Sequence, residues 1–189
     1  ARSGPMSTLT YRPLRAGARA PVLDVFEGLS DRSKRSRFLG AKPRLLEGDV
    51  RHLVDVGCCG REAVVAQDAA TGRFVGLARY VKDEDAPEAE VAFEVVDAWQ
   101  GNGIGRRLLT ELAKKARHQG ILRLRALTSH DNRAAIALMR GVGEVLAERR
   151  RGSELELVVR LAEHVASCDH NDAHGDPRAP GHADADDPA

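Results

Sequence analysis

The stretch Val95-Val96-Asp97-Ala98-Trp99-Gln100-Gly101-Asn102-Gly103-Ile104-Gly105-Arg106-Arg107 constrains this chain more than any other. A β-rich run, Ala89–Val96, ends in a glycine-rich turn, and a helical pattern then runs to Gln119. Leu108, Leu109, Leu112 and Ala116 mark that helix's buried face, and Gly120 is a natural stop. The first amides of a helix have no internal partner, the helix dipole adds partial positive charge there, and glycine lets a ligand come close. Arg106 and Arg107 add full charges beside the turn. The arrangement therefore favours an anion, although glycines can also serve only to make a tight strand-to-helix connection. Two nucleotide signatures are excluded. The stretch lacks the Gly-Lys-Ser/Thr ending of a P-loop, and its third glycine falls one place too early for Gly-x-Gly-x-x-Gly.

The elements around this turn alternate. Leu9–Leu14 reads as a short strand, and Ala20–Leu29 as an amphipathic helix with Val22, Val25, Phe26 and Leu29 on one stripe. Ser30-Asp31 restarts a helix towards Leu39, and Glu47–Val56 gives a third with Val50, Leu53, Val54 and Val56 on one side. The period then changes to that of strands at Glu62–Asp68 and Phe74–Val81, joined by a hairpin turn at Thr71-Gly72. After the central helix, Arg123–Thr128 alternates as a strand, with Leu122, Leu124 and Ala126 opposite Arg123, Arg125 and Leu127. Asn132 suits the N-cap of a helix over Arg133–Arg140, and Glu144–Arg150 with Glu154–Leu161 closes the body as a hairpin. The order predicts an α/β (α+β) fold with a mixed, mostly antiparallel central sheet flanked by helices.

Composition limits the rest. The chain of 189 residues is 42% hydrophobic and 30% charged, enough for one core. No run approaches the roughly 18 apolar residues of a membrane span, and no secretory h-region opens the sequence, so a soluble, cytoplasmic protein is expected. Lys plus Arg is 29 and Asp plus Glu is 28, which argues against a broad grip on nucleic acid or membrane. Residues 1–6 are set aside as a remnant of expression, and residues 165–189, with six Asp, three His and one Arg, read as a disordered acidic tail. Without residues 165–189 the chain carries 28 basic and 22 acidic residues. Cys58, Cys59 and Cys168 match neither a disulfide framework nor zinc-ligand spacing, so no metal is expected.

Gln100-x-x-Gly103-x-Gly105 resembles the acyl-CoA pyrophosphate motif of the GNAT acetyltransferase superfamily. It follows a strand, Glu90–Val96, of the right length, and Asn132 with a helix ending at Gly141-Val142-Gly143 occupies the place of the family's Asn-containing final helix. The resemblance runs from Leu9 to Leu161, so residues 7–164 are taken as the GNAT domain. Glu27-Gly28-Leu29-Ser30, Arg37-Phe38-Leu39-Gly40, Lys42-Pro43-Arg44-Leu45 and Ala89-Glu90-Val91-Ala92-Phe93 look most like the Pat-type bacterial protein lysine acetyltransferases. Such proteins often carry a fused regulatory or synthetase domain, for which 189 residues leave no room.

The resemblance implies acetyl-CoA as co-substrate and direct transfer to a primary amine. The acceptor it favours is a protein lysine, perhaps in an acyl-CoA synthetase, with a small amine or a non-catalytic acyl-CoA sensor as alternatives. It implies that Gln100, Gly101, Asn102, Gly103, Ile104, Gly105 and Arg106 hold the pyrophosphate. Backbone groups of Val95 and Val96 would meet the pantetheine arm, and Asn132 would steady that arm or the diphosphate side. A lysine amine, with a pKa near ~10.4, is neutral about one time in a thousand at pH 7, so a general base helps. Glu90 and Glu94 share a strand face. Glu90 matches the family's catalytic glutamate, with partial burial tuning it, and Glu94 is the second candidate. The family's tyrosine acid is replaced by Met139, which cannot donate a proton. Asp83, Glu84, Asp85 and Glu88 could form an acidic lip drawing in a cationic amine. The sequence sets no oligomeric state.

Overall fold

The computed structural model describes residues 8–58, 60–84 and 86–161. Cys59, Asp85, Cys168, residues 1–6 and the acidic segment 165–189 lie outside them. Seven strands form one sheet in the order β1-β2-β3-β4-β5-β7-β6. In the chain these are β1 (Leu9–Pro13), β2 (Arg61–Asp68), β3 (Phe74–Lys82), β4 (Glu88–Val95), β5 (Arg123–Ser129), β6 (Gly143–Arg151) and β7 (Glu154–Leu161). The helices are α1 (Ala20–Glu27), α2 (Asp31–Phe38), α3 (Glu47–Leu53), α4 (Ile104–His118) and α5 (Arg133–Arg140). Every strand pair is antiparallel except β4 with β5. The element order and the mixed sheet are those the periodicities predict.

The sheet carries a core on each face. On one side α4 presents Leu108, Leu109 and Leu112, all fully buried, to Ala78, Tyr80, Ala89 and Val91 of β3 and β4. On the other, Val22, Val25, Val50 and Leu53 of α1 and α3 pack on Ala63, Val65 and Leu77. A strand with both faces covered must be apolar on both, which is why β2 and β3 read as near-continuous apolar runs. The β2–β3 turn is fixed by Asp68, whose carboxylate accepts from the Ala70 N–H and the Thr71 hydroxyl.

Two elements end differently from expectation. α3 stops at Leu53 because Val54 forms its C-cap and Gly57 turns the chain with φ +90°, although Val54 and Val56 remain buried. Leu122 is 58% exposed instead of opening the buried face of β5. After the left-handed Gly120 the chain buries Ile121 instead, and the Leu122 N–H donates to Pro87.

α2 buries none of its own residues, so its place over β4 depends on a few contacts. Ser30 caps it by accepting from the Ser33 N–H, Phe38 stacks edge-on against Phe26 at 5.9 Å, and Arg37 pairs with Glu94 of β4 at 2.6 Å. Phe38→Ala is therefore expected to raise amide hydrogen exchange across residues 31–38 by about tenfold, the size of a lost aromatic pair, while α4 amides stay protected. Equal loss of protection in α4 would show that α2 is integral to the global core.

Candidate active site

β4 and β5 pair for only three residues, Glu88 with Arg123, Ala89 with Leu124 and Glu90 with Arg125. Beyond Glu90 the strands part, and a cleft of about 1200 Å³ opens between them. Its walls include Val91–Val95 of β4, Ala126–Thr128 of β5, the start of α4 and the length of α5. The Val96 N–H donates to Val75 of β3, and the β3–β4 register is regular. Alternation in an antiparallel pair then turns the backbone groups of Val91, Phe93 and Val95 away from β3, towards the cleft. Of the two residues expected to meet an extended ligand arm, Val95 faces the cleft, while Val96 has its N–H committed to β3.

The glycine turn closes one end of the cleft. Gln100 donates through Nε2 to the Val95 carbonyl at 3.0 Å, tying the turn to the end of β4. Asn102 donates to the carbonyls of Trp99 and Gln100. These side chains hold the loop's shape, so the loop offers its backbone to a ligand. Gly103 is the N-cap of α4 with φ +76°, a conformation that suits glycine. The first bond of the helical ladder runs from the Arg107 N–H to Gly103, leaving the amides of Ile104, Gly105 and Arg106 to project from the helix end. At Gly105 a Cβ would come within 2.9 Å of Leu138 on α5, so glycine sets how closely α4 and α5 approach. Arg106 lines the cleft, whereas Arg107 turns away to Glu111 at 3.0 Å and lies over the Tyr11 ring.

Asn132 lies in the cleft wall with its side chain occupied. Its oxygen accepts from the Ala135 N–H at 3.2 Å, and its nitrogen donates to the buried Thr128 hydroxyl at 3.1 Å. It shapes the start of α5. Met139 is fully buried and also lines the cleft, which among the described residues has no tyrosine in its walls. Arg32, Arg37 and Arg133 join the walls as well. Arg37 belongs to the Arg37-Phe38-Leu39-Gly40 stretch, but no motif marks Arg32 or Arg133, each one arginine among many until the fold brings it to the opening.

The two glutamates share the β4 face that looks towards α2 and α3, as alternation requires. Their surroundings differ. The Glu94 side chain is 9% exposed and tied to Arg37, while the Glu90 side chain is 61% exposed, with Arg125 at a loose 3.6 Å. The partial burial expected of Glu90 thus belongs to Glu94. Among the described residues the expected acidic lip is not at the opening. Glu88 pairs with Arg123 and Arg125 at the closed end of β4, and neither Asp83 nor Glu84 lines the cleft.

A parted pair of strands, a cradle of unused amides at the start of a long helix and a row of strand groups facing the gap together fit an acyl-CoA: a pyrophosphate at the helix, an extended amide-bearing arm along β4. The sequence profile of the Acetyltransferase (GNAT) family matches residues 36–143. The chain belongs to the GNAT family of acetyltransferases. It is 31% identical over 157 residues to acetyltransferase PA5475 of Pseudomonas aeruginosa, covering 80% of this chain and 82% of that one. It is 34% identical over 97 residues to acetyltransferase Pat of Mycolicibacterium smegmatis, a match that spans 51% of this chain and 29% of that protein. Among solved structures, the GNAT domain of S. lividans PAT superposes with a TM-score of 0.71 at 30% identity, covering 80% of this chain and 89% of that one. The GNAT chain is thus an acetyl-CoA-dependent acetyltransferase. Among the described residues no cluster of His, Cys, Asp or Glu is able to hold a metal, and no helix is long and apolar enough to cross a membrane.

The double bonding of Asn132 gives a direct test. Asn132→Ala is expected to lower stability by about 1 kcal/mol in urea denaturation, the usual cost of a lost N-cap. Asn132→Ser keeps a neutral acceptor for the Ala135 N–H and should recover most of it. If coenzyme A affinity falls in the Ser variant while its stability is restored, Asn132 contacts the ligand directly.

Proposed function

We propose that this acetyltransferase moves an acetyl group to a primary amine by direct attack, with the side-chain amine of a protein lysine as acceptor and Glu90 as general base. Acetyl-CoA supplies the activated acyl thioester. The Val91, Phe93 and Val95 backbone and the amides of Ile104, Gly105 and Arg106 would hold and orient it. The observation that carries the assignment of the base is the contrast between the two glutamates. A base needs an oxygen free to take a proton, and Glu94 has its carboxylate engaged by Arg37 at 2.6 Å. Glu90 reaches no closer than 3.6 Å to Arg125 and is open to water, so it can draw a proton from the ammonium through a bridging water. Glu94, held between α2 and β4, positions the acceptor side of the site. With Met139 in place of an acid, the thiolate leaves unassisted by a side chain and takes its proton from water, which a thiol pKa of about 8.5 permits.

The lysine acceptor is supported by similarity to proteins named Pat, including a solved GNAT domain that this chain covers for 89% of its length. An acyl-CoA synthetase is the protein substrate we favour. A small-molecule amine is the rival reading, and the pocket beside Glu90 gives it a specific observation of its own. A cytoplasmic setting is the one we favour.

Glu90→Gln should reduce kcat by about 10²-fold or more with little change in KM for acetyl-CoA, as expected for loss of a general base. Its residual rate should climb with pH as the amine itself deprotonates. A thiol-release assay run with lysine-bearing proteins and with polyamines and amino acids reads both points. Unchanged kcat in Glu90→Gln together with a collapse in Glu94→Gln would transfer the role to Glu94. Turnover with small amines alone would replace the lysine acceptor.

A further inference from the structure

A second cavity of about 320 Å³ lies on the α2–α3 side of β4, with Arg37, His52, Arg79, Glu90 and Ala92 in its walls. Arg79 on β3 is paired in register with Ala92, so its side chain rises from the sheet on the same face as Glu90 and Glu94. It is only 5% exposed, yet its Nε and Nη2 have no hydrogen-bond partner among the described residues. A buried guanidinium with idle donors is costly to fold around, and here the idle donors belong to a cavity wall. They are also a particular pair. Nε–H and Nη2–H lie parallel along one edge of the guanidinium plane, the edge that matches the two oxygens of a carboxylate.

The nearby acids do not take this place, because each is engaged elsewhere. Glu94 is held by Arg37 at 2.6 Å, Asp49 by Lys42 at 2.7 Å, Asp55 by Arg61, and Glu90 lies beside Arg125. Glu94 favours the charge on Arg79 through space but makes no hydrogen bond to either idle nitrogen. His52 has its pKa lowered by burial and by the charges of Arg79 and Arg61, so at neutral pH it contributes an uncharged ring. The cavity therefore presents one uncompensated, directional cation.

Its position connects it to the reaction. Arg37 and Ala92 line both this cavity and the large cleft, so the two spaces meet at the middle of β4. We propose that the cavity is a carboxylate subsite for the acceptor, in which Arg79 grips side-on an acid group carried by the molecule whose amine is acetylated. This rests on the acetyl-transfer reading and adds a second recognition element to it. Two sources present the same chemistry: a free amino acid, whose carboxylate adjoins its amine, and an Asp or Glu flanking the target lysine of a protein.

The test separates the subsite from the activity. In the full-length protein without acetyl-CoA, the NMR signal of the Arg79 Nε–H is followed during titration with sodium propionate, propionamide and sodium chloride. A saturable shift with propionate alone is expected, and it should be lost in Arg79→Gln. Equal response to all three, or none, would mean that the cavity holds solvent only and would overturn the proposal. Turnover then identifies the source. Free amino acids are compared with their amides, and peptides with Glu beside the acceptor Lys with the same peptides carrying Gln. The acid form of one pair should be preferred by about tenfold in kcat/KM, the worth of one charge-assisted contact, and Arg79→Gln should collapse that ratio towards one. Should the Gln variant not fold, Arg79→Lys keeps the charge without the fork and should reduce the ratio. An undiminished ratio in a folded Arg79 variant overturns the proposal. Propionate binding without turnover on any amine would leave the subsite standing and sink the acetyl-transfer reading of the acceptor.

Discussion

The separation of β4 from β5 after three paired residues is the constraint on which the rest of the molecule depends. A sheet normally satisfies its own backbone, so strands that part leave N–H and C=O groups that something else must satisfy. Here Val91, Phe93 and Val95 contribute those groups to a cleft, and Gln100 takes up one of them, the Val95 carbonyl. β5 compensates by pairing along its whole length with β7, from Arg123 to Ser129, which keeps the far half of the sheet rigid. α4 and α5 then pack over the opening at a spacing set by Gly105 against Leu138. The cleft proposed for an acyl-CoA is thus a break in the hydrogen-bond ladder, held open by intact pairing on both sides.

Charge is distributed to suit that break. The near-neutral total conceals a body richer in arginine than in acid, and within the body almost every acid of β4 is matched. Glu88 has Arg123 and Arg125, Glu94 has Arg37, and the sparse partner is at Glu90. Matched pairs on a strand face contribute modestly to stability where exposed and mainly fix geometry where buried. The Arg37–Glu94 pair is of the second kind, since α2 has no buried residue of its own to anchor it. Of the acids that the sequence places before and along β4, Glu88 and Glu94 are neutralised by arginines, and the carboxylate of Glu90 is the loose one.

Much of the architecture was legible because it follows from periodicity and turn chemistry. The stripe Leu108, Leu109, Leu112 and Ala116 gave the buried face of α4, Gly120 its end, and Asn132 the start of α5. The glycine turn into α4, too, could be read from Gln100 to Gly105. The errors arise where tertiary geometry overrides local pattern. Leu122 was in phase with Leu124 but yields its core place to Ile121, because a left-handed glycine resets the direction of the chain. Val96 commits its N–H to Val75, which no local pattern encodes. The contrast between Glu90 and Glu94 was likewise invisible, since spacing gives the shared face while burial comes from α2 lying over one end of it. Arg79 was missed altogether. Inside an apolar strand run, a single arginine has no periodic signal to separate a buried cation from an outward-facing one.

Ala92 shows how these features combine. It stands between Glu90 and Glu94 on β4, opposite Arg79 in register, and its small side chain borders both the cleft and the cavity. A large residue here would fill the junction of the two spaces and part the acceptor side from the cofactor side. With a methyl group there, an amine bound beside Glu90 has a short route to whatever is held along Val91 and Phe93. In the proposed reading, the glycine motif, which dominates the sequence, would fix only where the common co-substrate lies. Which amine reacts would be decided on the opposite face of β4, by Arg37, Arg79, Glu90 and the space that Ala92 leaves open.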